Sequence, residues 1–147
     1  MKKKKTLNTF RDKFICGDCE TVLQTIPDSS IDLILTSPPY ADKRDYGDVD
    51  GTIPPDEYVD WFIPKAREMH RILKDDGSFV LNISDKVVDN FQHLYVFELL
   101  LKLCKEIGFH LVRDYIWYNP ATPPNVYSRG GYGRTKKSHE SVSYTHL

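Results

Sequence analysis

Thr36, Ser37, Pro38, Pro39 and Tyr40 follow directly on the apolar run Ile31-Asp32-Leu33-Ile34-Leu35. The run reads as a mostly buried β-strand. Two prolines cannot continue a ladder or a helix, and they hold the backbone rigid. A hydroxyl, a fixed carbonyl and an aromatic ring are thus presented together at the strand's C-terminal edge. In open α/β sheets that edge is where ligands bind. A flat substrate bearing N–H groups would stack on Tyr40 while Ser37 Oγ and the Pro38 carbonyl accept its hydrogens.

Cys16-Gly17-Asp18-Cys19 is a second constellation. A carboxylate at this point either receives a donor from a ligand or caps the helix that follows, and both roles fit Asp18. The Cys-x-x-Cys spacing also resembles a thioredoxin-type redox pair. Zinc would need a second pair of ligands, which the sequence lacks, so no metal is expected. A small buried Cys16 is the favoured reading. His139-Glu140 lacks the second His of a metalloprotease helix and reads as structural or close to a ligand.

Several elements must hold these residues. Lys13 to Ile15 reads as a short strand, and a helix follows it with Val22, Leu23 and Ile26 turned inward. Ile31 to Thr36 is the next strand, and polar Ala41 to Ile53 is a loop. Pro54-Pro55-Asp56 starts a helix that reaches about Leu73 and that Pro64 should kink or restart. Asp75-Asp76-Gly77 reads as a turn before a strand at Phe79 to Ile83. A helix is expected from about Asn90 to Ile107, carrying Leu94, Phe97, Leu100, Leu101 and Cys104, with Gly108 just past its end. Leu111 to Trp117 is a further strand, followed by a Pro- and Gly-rich loop from Asn119 to Gly133. Strands alternating with helices indicate an α/β domain with a mostly parallel sheet.

The chain has 147 residues and a net charge of −1, so one domain is expected and there is no global pull toward polyanions. The charge is uneven, however. From Arg113 to His139 five basic residues (Arg113, Arg129, Arg134, Lys136, Lys137) face one acid, Asp114. Such a loop suits backbone phosphate contact, which supplies affinity without sequence choice. Lys43, Arg44 and Tyr46 lie in the loop after the Pro-Pro turn, a place for ligand contact, for a closing lid or for a plain solvated loop. Three cysteines with no apolar signal segment argue for free thiols, and no stretch is long and apolar enough for a membrane span. A cytoplasmic protein is expected.

Thr36-Ser-Pro-Pro-Tyr40 after an apolar strand resembles the catalytic motif of DNA amino-methyltransferases, whose tetrapeptide is Asp/Asn/Ser-Pro-Pro-aromatic. Gly17-Asp18-Cys19, Asp45-Tyr46-Gly47, Arg71-Ile-Leu-Lys-Asp-Asp-Gly-Ser78, Asp114-Tyr-Ile-Trp-Tyr118 and Arg134-Thr-Lys-Lys-Ser-His-Glu140 resemble that family in the same order. The resemblance implies a bacterial or phage enzyme that transfers a methyl group from S-adenosylmethionine to the exocyclic amine of a base in double-stranded DNA. A cognate restriction endonuclease would be its functional counterpart. It implies Ser37, Pro38, Pro39 and Tyr40 as catalytic residues, and Asp18, Cys19 and Thr36 as cofactor-binding residues. DNA contacts are expected from Lys43, Arg44, Tyr46, Arg134, Lys136 and Lys137. Ser at the first motif position favours cytosine N4 over adenine N6. No cysteine follows a proline, which argues against cytosine C5 chemistry. A non-catalytic nucleic-acid-binding module and a Cys-x-x-Cys redox domain are the alternatives of another class.

The family's Phe-x-Gly-x-Gly stretch is nowhere in the sequence, and Gly130-Gly131-Tyr132-Gly133 does not follow an apolar strand. In a permuted class the catalytic motif comes first and the glycine motif last. The expectation is therefore a partial Rossmann-like methyltransferase fold that lacks the C-terminal glycine-loop strands and is inactive by itself. Residues 1–12 are expected as a basic disordered tail, 13–140 as the catalytic part, and 141–147 as an unrelated tail. Replacing Lys136 and Lys137 by Ala should weaken binding to all DNA sequences alike. It should also reduce the slope of log affinity against log salt by about two charges. A changed sequence preference at constant slope would contradict this.

Overall fold

The computed structural model of the chain describes residues 6–41, 53–89, 91–117 and 143–146. Within the expected N-terminal tail, Leu7–Thr9 form one 3-10 turn. The first helix is α1, Cys19–Leu23, followed by strand β1, Ile31–Thr36. Helix α2 spans Pro55–Ile72 and leads directly into strand β2, Leu73–Ser84. Two short strands, β3 (Val87–Val88) and β4 (Phe91–Gln92), pair antiparallel with each other. Helix α3, Tyr95–Lys102, widens into a π-helical turn at Leu103–Ile107. Strands β5 (Asp114–Trp117) and β6 (Ser143–His146) complete the set.

The main sheet has the order β1-β2-β6-β5. β1 and β2 are parallel, and β6 runs antiparallel to both of its neighbours. Residues 143–146, expected in an unrelated tail, thus lie within the sheet. The parallel β1–β2 pair is the α/β core the sequence indicates. Leu73 opposes Ile31, and Ser78 opposes Leu33. Two residues of β1 therefore match five of β2, and the extra three form an irregularity around Asp75-Asp76-Gly77. The expected turn is absorbed into one strand rather than preceding it. A side chain at Gly77 would press on the Ile31 carbonyl at 3.1 Å, so this crossing favours glycine.

Helix α2 buries one stripe. Tyr58, Phe62, Ala66 and Met69 face inward at three- and four-residue spacing. They meet Leu81 and Ile83 of β2 and Tyr95, Val96, Leu99 and Leu103 of the next helix. The helix runs unbroken through Pro64, contrary to the expected kink or restart. Pro64 lies on the exposed face next in the spiral to exposed Asp60, so the missing N–H falls on the solvent side.

Three other expectations are corrected. Lys13 to Ile15 is not a strand, and Phe14 and Ile15 are exposed. A strand needs a neighbour to satisfy its ladder, and none of the described strands lies beside this segment. β1 is not mostly buried, since Leu33 is 58% and Leu35 69% exposed on an edge with β2 as its described partner. Finally, α3 begins at Tyr95 rather than near Asn90. Its buried face is Tyr95, Val96, Leu99 and Leu103, while Leu94, Phe97 and Leu101 are exposed. The run Tyr95-Val-Phe-Glu-Leu-Leu-Leu101 is apolar nearly all round, so periodicity selects no face and contact with α2 decides. Gly108 closes the helix with φ 106°, as expected.

Arg71 ties the front of the chain to this frame. Its guanidinium donates to the Leu23 and Ile26 carbonyls at 2.9 and 3.0 Å, and it pairs with Glu68 and Asp28. The turn between α1 and β1 is thereby fixed to the end of α2. Lys65, 8% exposed, lies 3.5 Å from Glu20 of α1 and stacks over the Trp61 ring.

Candidate active site

β1 delivers Thr36 in register with Leu81 of β2, and the Ser-Pro-Pro-Tyr turn leaves the sheet at that point. Pro38 and Pro39 have no N–H, so the turn cannot be held by its own donors. It is held through its acceptors. Tyr58, fully buried on α2, donates its hydroxyl to the Pro39 carbonyl at 2.8 Å. Tyr95, fully buried on α3, donates to the Ser84 carbonyl at the end of β2. Its oxygen also takes the Ala41 backbone N–H. The Tyr95 hydroxyl is strongly held in the neutral form. Burial is the main cause, followed by the charges of Asp85 and Tyr40, with the Ala41 N–H opposing. The two rings meet edge to face at 4.9 Å.

Above this clamp the polar groups converge. Ser37 Oγ lies 3.2 Å from Tyr40 Oη. Asn82 Nδ2, on β2, lies 3.3 Å from the same Tyr40 oxygen. Ser37 is exposed, whereas Pro38, Pro39 and Tyr40 are half-buried. The arrangement offers a hydroxyl, a fixed carbonyl and an aromatic ring at the C-terminal end of a parallel strand. Asn82 was not singled out from sequence, although its alternation with buried Leu81 and Ile83 marks it as a polar side chain on the other face of β2.

Asp18 caps α1, its Oδ1 accepting from the Thr21 N–H at 2.8 Å. That backbone bond, then the Thr21 side chain, hold the Asp18 carboxyl below the ordinary 3.8. The cap is therefore complete above that value and is lost as pH falls through the lower folded one. The carboxylate remains exposed, so capping leaves it open to a ligand. Cys16 is exposed rather than buried, because no described strand forms beside it, and Cys19 is exposed at the first turn of α1. Neither cysteine is in a disulfide, and among the described residues no cluster could hold a metal ion. Lys43, Arg44, Tyr46, Arg134, Lys136, Lys137 and the His139-Glu140 pair lie outside the described residues. A cavity of about 750 Å³ sits at the far end of β2, lined by His70, Leu73, Gly77, Leu103 and Phe109, and includes no residue of the Pro-Pro turn. Among the described residues no helix is long and apolar enough to cross a membrane.

Residues 31–145 match a family model described as DNA methylase. Type II methyltransferase M.PvuII of Proteus hauseri is 35% identical over 127 residues, covering 84% of this chain and 37% of the relative. The solved structure of PvuII DNA methyltransferase (cytosine-N4-specific) superposes with a TM-score of 0.71 at 32% identity, over 88% of this chain and 46% of that one. The fold is shared with a putative DNA modification methylase from Thermus thermophilus solved with S-adenosyl-L-methionine. That match has a TM-score of 0.60 at 24% identity and covers 88% of this chain and 52% of the other. The chain thus spans about a third to a half of the length of these relatives.

The clamp makes a measurable contribution. Tyr58→Phe should leave the Pro39 carbonyl without its donor and lower unfolding stability by about 1–2 kcal/mol. Urea denaturation of the variant beside the unsubstituted chain measures it. An unchanged midpoint would mean that the turn is rigid without Tyr58.

Proposed function

The chain belongs to the DNA methylase family of N6 and N4 amino-methyltransferases, and on that premise we propose that the whole protein methylates an exocyclic base amine in double-stranded DNA, with cytosine N4 as the target. The observation that carries this reading is the Ser37–Tyr40 turn, held at the C-terminal end of a parallel strand by Tyr58. The Ser at position 37 and the cytosine-N4-specific relative favour cytosine over adenine.

A base amine is a poor nucleophile because its lone pair is delocalised into the ring. Ser37 Oγ and the Pro38 carbonyl accept its two hydrogens and favour a tetrahedral nitrogen with a localised pair. Tyr58 engages the Pro39 carbonyl rather than that of Pro38. Tyr40 stacks on the base after it leaves the duplex. These residues supply positioning and electrostatics, with no covalent intermediate.

S-adenosylmethionine, when bound, supplies an electrophilic sulfonium methyl. The described residues fit its adenine end, since the exposed Asp18 carboxylate is an acceptor for the adenine amine, and Cys19 and Thr36 are the further residues we assign to the cofactor. Phosphate contact falls to Arg134, Lys136 and Lys137, and contact near the target base to Lys43, Arg44 and Tyr46. We place the protein in the cytoplasm, with a cognate endonuclease as functional counterpart.

Mass spectrometry of DNA modified by the whole protein should find N4-methylcytosine. N6-methyladenine alone would reverse the choice of base, and no modified base would argue for a binding module. A separate test targets the turn. Ser37→Ala should slow single-turnover methyl transfer by roughly 2–4 kcal/mol in barrier, by analogy with loss of an oxyanion-hole donor. Tyr40→Ala should cost about 1–3 kcal/mol in base binding. Rates near those of the unsubstituted protein in both variants would refute the assigned roles.

A further inference from the structure

β2 ends at Ser84, and after Asp85 and Lys86 the chain enters the β3–β4 hairpin. Val87 pairs with Gln92 and Val88 with Phe91, so two residues make the turn between the strands. Asp89, the first of them, takes φ 50°, the left-handed conformation that such turns require. Cross-strand partners project from the same face, which puts Val88 and Phe91 side by side. Both are exposed, Phe91 at 78%. Burial on folding therefore does not account for an aromatic ring at the tip.

A two-stranded hairpin is marginal by itself, and this one is tied down at its root. The His93 N–H donates to the Lys86 carbonyl at 2.8 Å and closes the hairpin. The His93 ring then joins two helices. Its Nδ1 accepts the Tyr95 N–H at the start of α3 at 3.2 Å. The ring proton is thus on Nε2, which donates to Asp56 in the first turn of α2 at 2.9 Å. These are the helices whose Tyr58 and Tyr95 hold the Ser-Pro-Pro-Tyr turn and the end of β2. β1 and β2 are parallel, so the turn and the hairpin leave the sheet at the same end. From Lys86 to Asp89 an extended chain covers about 10 Å. The hairpin carries an apolar ring outward beside the candidate site, and one frame fixes both.

Between Lys86 and His93 the one basic residue, Lys86, is balanced by Asp89. A segment without net charge does not suit the phosphate backbone, whereas an exposed apolar ring suits the base stack. A base that leaves the duplex opens a gap between its neighbours, and an inserted apolar side chain restores part of the lost stacking. We propose that Phe91, with Val88 behind it, is that side chain: a wedge that enters the duplex at the extruded base and keeps the gap filled while Tyr40 stacks on the base. Its part is to favour extrusion, and it takes no part in the methyl transfer itself. The inference rests on the amino-methylation reading above.

The test uses the whole protein, saturating S-adenosylmethionine and two short duplexes that carry the site it methylates. In one the target base is paired, and in the other it is mismatched. Phe91→Ala should slow single-turnover methyl transfer on the paired duplex roughly tenfold, the size of one lost stacking contact. On the mismatched duplex, whose target base leaves more easily, the loss should shrink to within about twofold. Phe91→Leu keeps an apolar wedge and should restore most of the rate. A 2-aminopurine at the target position, bright only outside the stack, should brighten less with Phe91→Ala than with the unsubstituted protein. The urea midpoint should not move, because Phe91 is exposed. Unchanged rates and fluorescence, equal losses on both duplexes, a lowered urea midpoint, or a loss that tracks a change from dimer to monomer in sedimentation would each overturn the wedge and leave the reaction standing. If Ser37→Ala turns over normally, or the unsubstituted protein methylates neither duplex, the amino-methylation reading falls and takes this inference with it.

Discussion

A turn built on two consecutive prolines has carbonyls but few amide donors, and it must be held by hydroxyls brought from elsewhere. Here Tyr58 provides one to the Pro39 carbonyl. Tyr95 links the Ala41 amide on one side to the Ser84 carbonyl on the other. Each tyrosine is fully buried, so its hydroxyl needs a polar partner and the turn is that partner. The requirement is mutual, since the core cannot close without the turn and the turn cannot hold its shape without the core.

The packing of α2 and α3 follows from this pair. Their rings meet at 4.9 Å, and Phe62, Leu81, Ile83 and Leu99 close around them. One hydrophobic cluster therefore lies directly beneath the candidate active site. Tyr40 and Ser37 sit next to this buried cluster, which suits a site whose work is alignment. Arg71 and Lys65 extend the frame to α1, and with it the position of Asp18.

β1 differs on its far side. Leu33 and Leu35 expose apolar surface, and a strand edge without a described partner is prone to pairing with other chains. The described core occupies one face of the β1–β2 pair. The chain covers 37% of its M.PvuII relative and 46% of the matching PvuII structure.

Local chemistry made much of the protein legible in its sequence. The strand Ile31–Thr36, the start of α2 at two prolines, the Asp18 cap and the Gly108 stop each depend on a few neighbouring residues. The Ser-Pro-Pro-Tyr turn was legible for the same reason, because its rigidity is covalent. Tertiary structure decided whatever needs a distant partner. Lys13–Ile15 has strand-like residues but no adjoining strand among the described residues, and Cys16 is exposed beside it. The buried face of α3 could not be read from a run that is apolar on nearly every side. Asn82 and the two tyrosine hydroxyls were invisible as site residues, since 42 positions separate Asn82 from Tyr40 and 19 separate Tyr58 from Pro39. The parallel register of β1 and β2, set by the helix that crosses between them, is what brings these distant groups together.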